Sequence, residues 1–272
     1  TVKNINEAND YIDKIVHYEK NSERGNWRNL LTLIADDGLT SSGDDGSLHT
    51  AQSEDLANTV IPASFDLKKI YLADYPAVIT GNGRRKPAVN AEILKIMNQG
   101  TLMVNYVGHG NPDVWAHELV FERGVTIPQL KNDKYFFLCA ATCDFGIYDV
   151  PNYRSGAEDL LFLKDAGAIA TFSASRLVFS GLNSTLNQVF LDSLFQQPRE
   201  EFNLPVTLGS AVFKTKIKLN QVNDQKFHLL GDPTLRLNMP QYFGSIDSIN
   251  GQLLNVDVQI RALSNTKIAG TI

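Results

Sequence analysis

A basic excess, a long apolar run and a full set of pairable cysteines are all missing from this 272-residue chain. The formal net charge is −5 and the basic residues are scattered, so nothing electrostatic favours a nucleic-acid partner. No apolar stretch reaches the ~18 residues of a membrane-spanning helix. The longest lie near Leu160–Leu163 and Ala166–Phe172, and both are short. Internal repeats, low-complexity tracts and a signal-peptide pattern are absent too. The chain opens on Thr1-Val2-Lys3 and stops at Ile272 in mid-pattern, which reads as an excised piece of a longer protein. Cysteine is scarce: Cys139 and Cys143 are the two present. In an extended segment they would stand ~13 Å apart, at ~3.3 Å per residue. A disulfide requires Cα atoms within ~7 Å, so at least one free thiol needs another explanation.

What is there is an ordinary globular composition, 43% hydrophobic and 20% charged, long enough for one large domain plus a small module. Ile5, Ala8, Ile12, Ile15 and Val16 recur at helical spacing and predict an amphipathic helix over 5–19 that buries this face. Short apolar runs at 30–35, 69–72, 101–107, 135–141 and 168–172 read as buried strands. Helices are expected at 54–60, 89–98, 156–163 (capped by Ser155), 184–195 and 206–219. Strands alternating with helices predict an α/β fold with a mostly parallel sheet. From Ser245 the pattern changes to the alternation of Val256, Val258 and Ile260. This predicts that 241–272 begins an all-β, immunoglobulin-like module which the fragment truncates.

In open α/β sheets ligands bind beyond the carboxyl ends of the strands. Asp37, His109, Cys143 and Ser173 all fall at such predicted ends. Cys139, in mid-strand, fits a buried structural thiol. Cys143 stands just past a strand, beside Asp144 and Gly146, where the chain can turn and expose a nucleophile that a nearby imidazole would activate. His109 lies between Gly108 and Gly110; it is the candidate base, with Gly110 N–H and Cys143 N–H as an oxyanion hole. Asp37 is the candidate acid that orients the imidazole. Ser173 and Val178, at and beyond the last strand, are substrate-side candidates. Cys139-x3-Cys143 has a zinc-like spacing, but the two side chains are expected to be far apart. The acids Asp36, Asp44, Asp45, Glu54 and Asp55 offer calcium-type oxygens, though solvated turns explain them as well.

Several segments together resemble the gingipain-type cysteine peptidases, which have the caspase–hemoglobinase fold. They are Asp10-Tyr11-Ile12-Asp13-Lys14-Ile15-Val16-His17-Tyr18-Glu19, the Leu102–Gly110 strand ending in Gly-His-Gly, Cys143 34 residues after His109, and Leu229-Leu230-Gly231-Asp232-Pro233-Thr234-Leu235. The resemblance covers roughly 5–240 and implies a three-layer α/β sandwich for 1–240, followed by the β module at 241–272. It implies Cys143 as nucleophile, His109 as base, Gly110 as oxyanion donor and Asp37 at a place where gingipains have Glu. It places Thr50 near the Asp of the arginine-specific members, which argues against strict Arg specificity. Ala35-Asp36-Asp37-Gly38 and Cys143-Asp144-Phe145-Gly146 are more similar to the sortase branch of the type IX secretion system. That branch implies an outer-membrane, cell-surface enzyme that cleaves C-terminal domains from secreted cargo, works beside other secretion-system components and passes the acyl group to a lipopolysaccharide amine. No cofactor is implied as obligatory, with calcium an accessory ion of the family. A non-catalytic surface adaptor that keeps the fold is the alternative.

Overall fold

The computed structural model describes residues 2–40, 43–81, 83–196, 204–241, 244–254 and 257–271. The chain divides into two units, residues 1–239 and 240–272.

The first unit is built on a six-stranded sheet. Its strands are β1 (Leu30–Ala35), β2 (Asp66–Tyr71), β5 (Met103–Val107), β8 (Phe136–Ala141), β9 (Ala168–Ala174) and β10 (Phe227–Leu230). The order across the sheet is β10-β9-β8-β5-β1-β2. All neighbours are parallel except the edge strand β10, which runs antiparallel to β9. Two small hairpins, β3 (Val78–Thr80) with β4 (Gly83–Arg85) and β6 (Val114–Trp115) with β7 (Phe121–Glu122), complete the strands of this unit.

Both faces of the sheet are covered, and for that reason its strands read as unbroken apolar runs. Alternate residues of β5 go opposite ways: Met103 and Val107 join one core, Val104 and Tyr106 the other. The first core packs against α2 (Leu48–Asp55) with the turn that continues it, α5 (Ser180–Leu194) and α6 (Leu208–Lys218), through Leu56, Leu186, Phe190, Leu191, Leu208 and Ala211. The second packs against α3 (Pro87–Gln99) and α4 (Gly156–Phe162), through Val89, Ile93, Met97, Ala157 and Leu160. The result is the expected three-layer sandwich. At its centre Asn105 on β5 and Asn187 on α5 exchange two amide bonds, of 2.9 and 3.1 Å. Burying these amides is tolerable because each satisfies the other, and the pair fixes α5 over the middle of the sheet.

The first helix, α1 (Ile5–Val16), forms where expected but turns a different face inward. Ile5, Ile12 and Val16 are exposed. The inward stripe is Tyr11, Lys14 and Tyr18, amphipathic side chains whose apolar stems pack while their polar tips reach main-chain groups. Lys14 Nζ, with three N–H donors to share, lies within hydrogen-bond distance of four carbonyls, those of Leu161 (2.9 Å), Leu163 (3.2 Å), Ala166 (2.7 Å) and Ala168 (2.9 Å). Tyr11 Oη donates to Ile169 O at 3.0 Å and accepts from Asp232 N–H at 3.2 Å. Tyr18 Oη accepts from Asn238 N–H at 2.9 Å. Of the apolar positions at helical spacing, Ile15 does pack against the core, but the deepest burial is at Lys14 and Tyr18, whose polar tips reach main-chain groups.

Other departures are local. The helix expected at 54–60 begins earlier, at Leu48. Strand β9 runs on to Ala174, so Ser173 lies inside it rather than at its end. The β3–β4 and β6–β7 hairpins and β10 were not foreseen, being too short to show a periodic pattern. Ser155 caps α4 as expected, in a reciprocal capping box with Glu158.

The second unit holds β11 (Ser245–Ile249), β12 (Gln252–Leu253) and β13 (Ile268–Thr271), an antiparallel sheet in the order β12-β11-β13. Ile246 and Ile249 of the expected β pattern lie in β11; Val256 lies outside the described residues, and 257–260, with Val258 and Ile260, carry no strand.

Lys14→Met keeps the stem but orphans four carbonyls. It is expected to destabilise the first unit by about 3 kcal/mol in urea unfolding, whereas Ile12→Ser, on the exposed stripe, should change it by less than about 0.5 kcal/mol.

Candidate active site

The strand order reverses between β1 and β5, since the chain leaves β1 for β2 at one edge and returns through β5 on the other side. The crevice at such a switch point, beyond the carboxyl ends of the strands, is where doubly wound sheets bind ligands. Asp36 and Asp37 follow β1, His109 follows β5, and Cys143 follows β8, the next strand over. In the register of the last two, Val107 lies opposite Ala141. His109 and Cys143 are each two residues beyond that pair, on strands ~4.8 Å apart. The two loops also touch. A Cβ on Gly110 would come within 2.6 Å of Thr142 Oγ1 and 2.9 Å of Val114 O, so only glycine lets the histidine loop lie this close to the cysteine loop.

Asp36 holds the histidine loop. It is buried, at 1% exposure. Its Oδ2 accepts the His109 N–H at 3.0 Å and its Oδ1 the Asp37 N–H at 2.8 Å. Its own N–H donates to Val107 O at 3.0 Å. Buried Tyr106 donates from Oη to His109 O at 2.5 Å, and burial pushes that phenol well above its ordinary pKa, keeping it a donor. A Cβ on Gly108 would lie 2.4 Å from Asp36 Cβ, so the glycine before the histidine makes room for this carboxylate.

The carboxylate on the imidazole is that of Asp45, not Asp37. Asp45 Oδ2 is 2.8 Å from His109 Nε2. The loop after β1 folds back to bring it there. Gly38, at φ +75°, accepts the Asp45 N–H at 3.0 Å, and Asp44 Oδ1 accepts the Gly46 N–H at 2.7 Å. Asp37 is placed elsewhere, which corrects the expectation that it orients the base. Arg84 Nη2 meets its Oδ2 at 2.5 Å and Lys86 Nζ at 2.9 Å. Arg84 also pairs with buried Glu118. Burial alone would raise the Asp37 pKa. The hydrogen bonds of Arg84, Lys86 and the Leu39 N–H outweigh it and hold the group at about 2. Two basic residues on the unforeseen β3–β4 hairpin and its exit thus claim this acid.

Cys143 is half-buried. Its thiol points to Val178 O, at 3.5 Å. Burial raises its pKa, only partly offset by that hydrogen bond, so the resting group is the neutral thiol. The next residue, Asp144, sits at φ 31°, a left-handed conformation that turns the chain sharply after the cysteine. Of the two expected oxyanion donors, the structure describes the ladder around Gly110. Gly110 and Trp115 face each other as a bridge whose bonds run from Asn111 N–H to Val114 O (3.0 Å) and from Ala116 N–H to His109 O (2.9 Å). The Gly110 N–H is left out of that pairing.

Cys139 lies in the core, its Sγ 3.3 Å from Asn187 Oδ1, and burial pushes its thiol up to about 12. It is the structural cysteine of the two. Of the substrate-side candidates, Val178 is beside the thiol through its carbonyl. Ser173 is 1% exposed and lies under Gly146, with its Cβ 3.0 Å from where a Gly146 Cβ would be, which takes it out of any open surface. Thr50 is in the first turn of α2, one residue after His49.

His49 was missed by sequence reading. It is buried at 1% exposure, with its ring 5.1 Å from that of His109 in an edge-on arrangement. Asp45 Oδ2 is 3.6 Å from its Nε2. The available signal was Ser47, a residue type favoured before helices, which would have started α2 early enough to include His49.

Residues 1–238 match the profile of peptidase family C25. No curated protein sequence matches the chain. Among solved structures it is similar to the Arg-specific cysteine proteinase gingipain R (RgpB), at 20% identity and a TM-score of 0.67, over 88% of this chain and 55% of that one. A complex of Porphyromonas gingivalis RgpB pro- and mature domains aligns at 20% identity and a TM-score of 0.63, over 87% of this chain and 56% of that one. A further protease aligns at 17% identity and a TM-score of 0.60, over 98% and 60%. The chain therefore spans little over half the length of these structures, and at such identities they establish the caspase-like fold.

Because Asp37 has a pKa of about 2 here against ~3.9 in an unfolded chain, its stabilising contribution is complete above pH ~4 and lost as pH falls toward 2. Asp37→Asn should destabilise the fold by about 3 kcal/mol at neutral pH by leaving Lys86 and Arg84 underpaired, and should flatten the loss of stability between pH 4 and 2 in urea titrations.

With the matched profile covering nearly all of the first unit, the chain belongs to peptidase family C25, the gingipain-type cysteine peptidases.

Proposed function

We propose that this chain is the catalytic part of a cysteine endopeptidase acting through a thioester on Cys143. The observation that carries the reading is the register that puts His109 and Cys143 two residues past a paired position on adjacent parallel strands, at the switch-point crevice. In this reading a peptide carbonyl binds with its oxygen toward the N–H groups of Gly110 and Cys143. His109 takes the thiol proton as sulfur bonds to the carbonyl carbon. The same proton goes to the leaving nitrogen as the C–N bond breaks, and a thioester remains. Water or an amine then attacks the thioester, with His109 removing the attacker's proton. Asp45 acts as a positioning residue: its carboxylate at 2.8 Å fixes the imidazole and stabilises its protonated form.

The resting thiol state supports general-base activation over a preformed thiolate. Iodoacetamide is expected to react with Cys143 more slowly at pH 7 than with free cysteine, its rate rising with pH to a half-point above the usual cysteine range. A peptidyl chloromethyl ketone, which occupies the crevice, should label Cys143 rapidly in the wild type and poorly in His109→Ala. Rapid iodoacetamide labelling at pH 6 would contradict a neutral resting thiol.

For the substrate, we infer the PorU-like sortase reading: removal of C-terminal domains from type IX secretion cargo at the outer-membrane surface, with transfer of the acyl group to a lipopolysaccharide amine. Its support is the Ala35–Gly38 and Cys143–Gly146 sequence context. The β strands of 240–272 are in this reading the start of an immunoglobulin-like module. Incubation of the full-length polypeptide with a cargo C-terminal domain should give cleavage that Cys143→Ala lowers by about 10⁴-fold or more, and mass spectrometry should find the amine-linked product when lipopolysaccharide is added. Equal processing by Cys143→Ala would overturn the catalytic reading; cleavage without an amine adduct would reduce the function to hydrolysis.

A further inference from the structure

We propose that Asp36, His49 and His109 form a binding site for one divalent transition-metal ion of the zinc class, and that its occupation takes the His109 imidazole out of use. One donor atom from each of the three residues lies within 4.8 Å of the others. Two imidazoles and a carboxylate are a common zinc donor set, with Zn–N and Zn–O distances of ~2.0–2.2 Å. The donors of a tetrahedral ion stand ~3.4 Å apart, so closure by about an ångström forms the site. His109 can supply that movement, since its side chain is 36% exposed.

The observation that sets this cluster apart from an ordinary group of polar residues is the state of His49. It is 1% exposed, and neither ring nitrogen makes a hydrogen bond of standard geometry among the described residues, with Gln52 and Asp45 close by. A buried imidazole with two poorly satisfied nitrogens carries a desolvation cost, which a bound cation would relieve at the nitrogen that ligates it. Asp36 has lone pairs to spare beyond the two N–H groups it accepts. Asp45, 2.8 Å from His109 Nε2 and 3.6 Å from His49 Nε2, is a fourth donor at hand.

A second acidic cluster, Asp36 with Asp37 and Glu118, does not compete for the ion. Arg84 and Lys86 already neutralise Asp37 and Glu118. Nitrogen donors also argue against calcium, which takes oxygen ligands.

The ligand set predicts inhibition. A metal on His109 removes the lone pair that accepts the thiol proton, so occupancy would switch off a peptidase that works as proposed above. That consequence rests on His109 being the base, whereas the binding does not.

The test is a titration of the full chain with Zn²⁺ and with Ca²⁺, read by calorimetry, and with Co²⁺, read by its visible ligand-field band. One Zn²⁺ per chain is expected, with no comparable Ca²⁺ binding. His49→Gln should weaken Zn²⁺ at least about tenfold, while Cys143→Ala and His228→Gln bind as the wild type does. The chain has five histidines, which permits a check on the unmutated protein. Zn²⁺ should shift the imidazole NMR signals of His49 and His109 and leave those of His17 and His228 in place. This second measurement stands if His49→Gln does not fold. Absence of stoichiometric Zn²⁺ binding, or binding that depends on Cys143 and not on His49, would overturn the site. Binding with the predicted shifts but undiminished peptidase activity would leave the site standing and overturn the role of His109 as base.

Discussion

The buried carboxylate of Asp36 is the constraint on which the crevice depends. It stands at the end of β1, takes the His109 N–H and the Asp37 N–H, and returns its own N–H to Val107 O. These bonds join the ends of the two strands between which the sheet changes direction. A carboxylate this deeply buried is tolerable because both oxygens are occupied by donors. Gly108 leaves the room for it and Tyr106 closes the other side of the loop. The position of the histidine is therefore set by main-chain bonds to a rigid sheet, and its ring extends beyond them to meet Asp45.

Two consecutive aspartates do opposite work from this point. Asp36 turns toward the histidine loop, while Asp37 faces the β3–β4 hairpin and is neutralised by Arg84 and Lys86. The second arrangement closes one side of the crevice. Arg84 binds Asp37 and Glu118 together, and Lys86 ties the hairpin exit to the carbonyls of Leu72 and Tyr75. With the charge on that side balanced internally, the negative group left to act on the imidazole is Asp45, carried on the loop that leads into α2. Fixed charge and mobile chemistry are separated by one residue step in the chain, because successive residues after a strand point to different sides.

Much of this was legible in the sequence. Strands buried on both faces declare themselves as apolar runs, and β1, β5, β8 and β9 were placed within a residue or two. The positions of His109 and Cys143 followed from those strand ends. What escaped was of two kinds. Elements of two to four residues, such as β4 and β6, have no period to detect, and with them went Arg84 and the true partner of Asp37. The other kind was burial driven by polar tips: Lys14 and Tyr11 on α1 serve main-chain carbonyls, which no count of apolar spacing reveals. His49 combined both difficulties, lying in the first turn of a helix whose start was misread and contributing to the site from a buried position.

The resting geometry also bears on how a thioester enzyme of this build would choose between water and an amine. The Cys143 thiol donates to Val178 O, and burial keeps it protonated. In the proposed reading a substrate would have to take over that thiol, so attack would begin once the segment around Val178 is engaged. Its neighbours Leu177 and Phe179 are 70% and 69% exposed, two large apolar side chains on either side of the carbonyl that holds the nucleophile. A bound chain that covers them would desolvate the thioester as it forms and reduce the access of water. Transfer to an amine would then depend on how long the acyl half stays on this segment after the leaving group departs. In the proposed reading, a bound chain that covers Leu177 and Phe179 would thus shield the intermediate from water, and the Leu177–Phe179 segment would share in deciding the outcome.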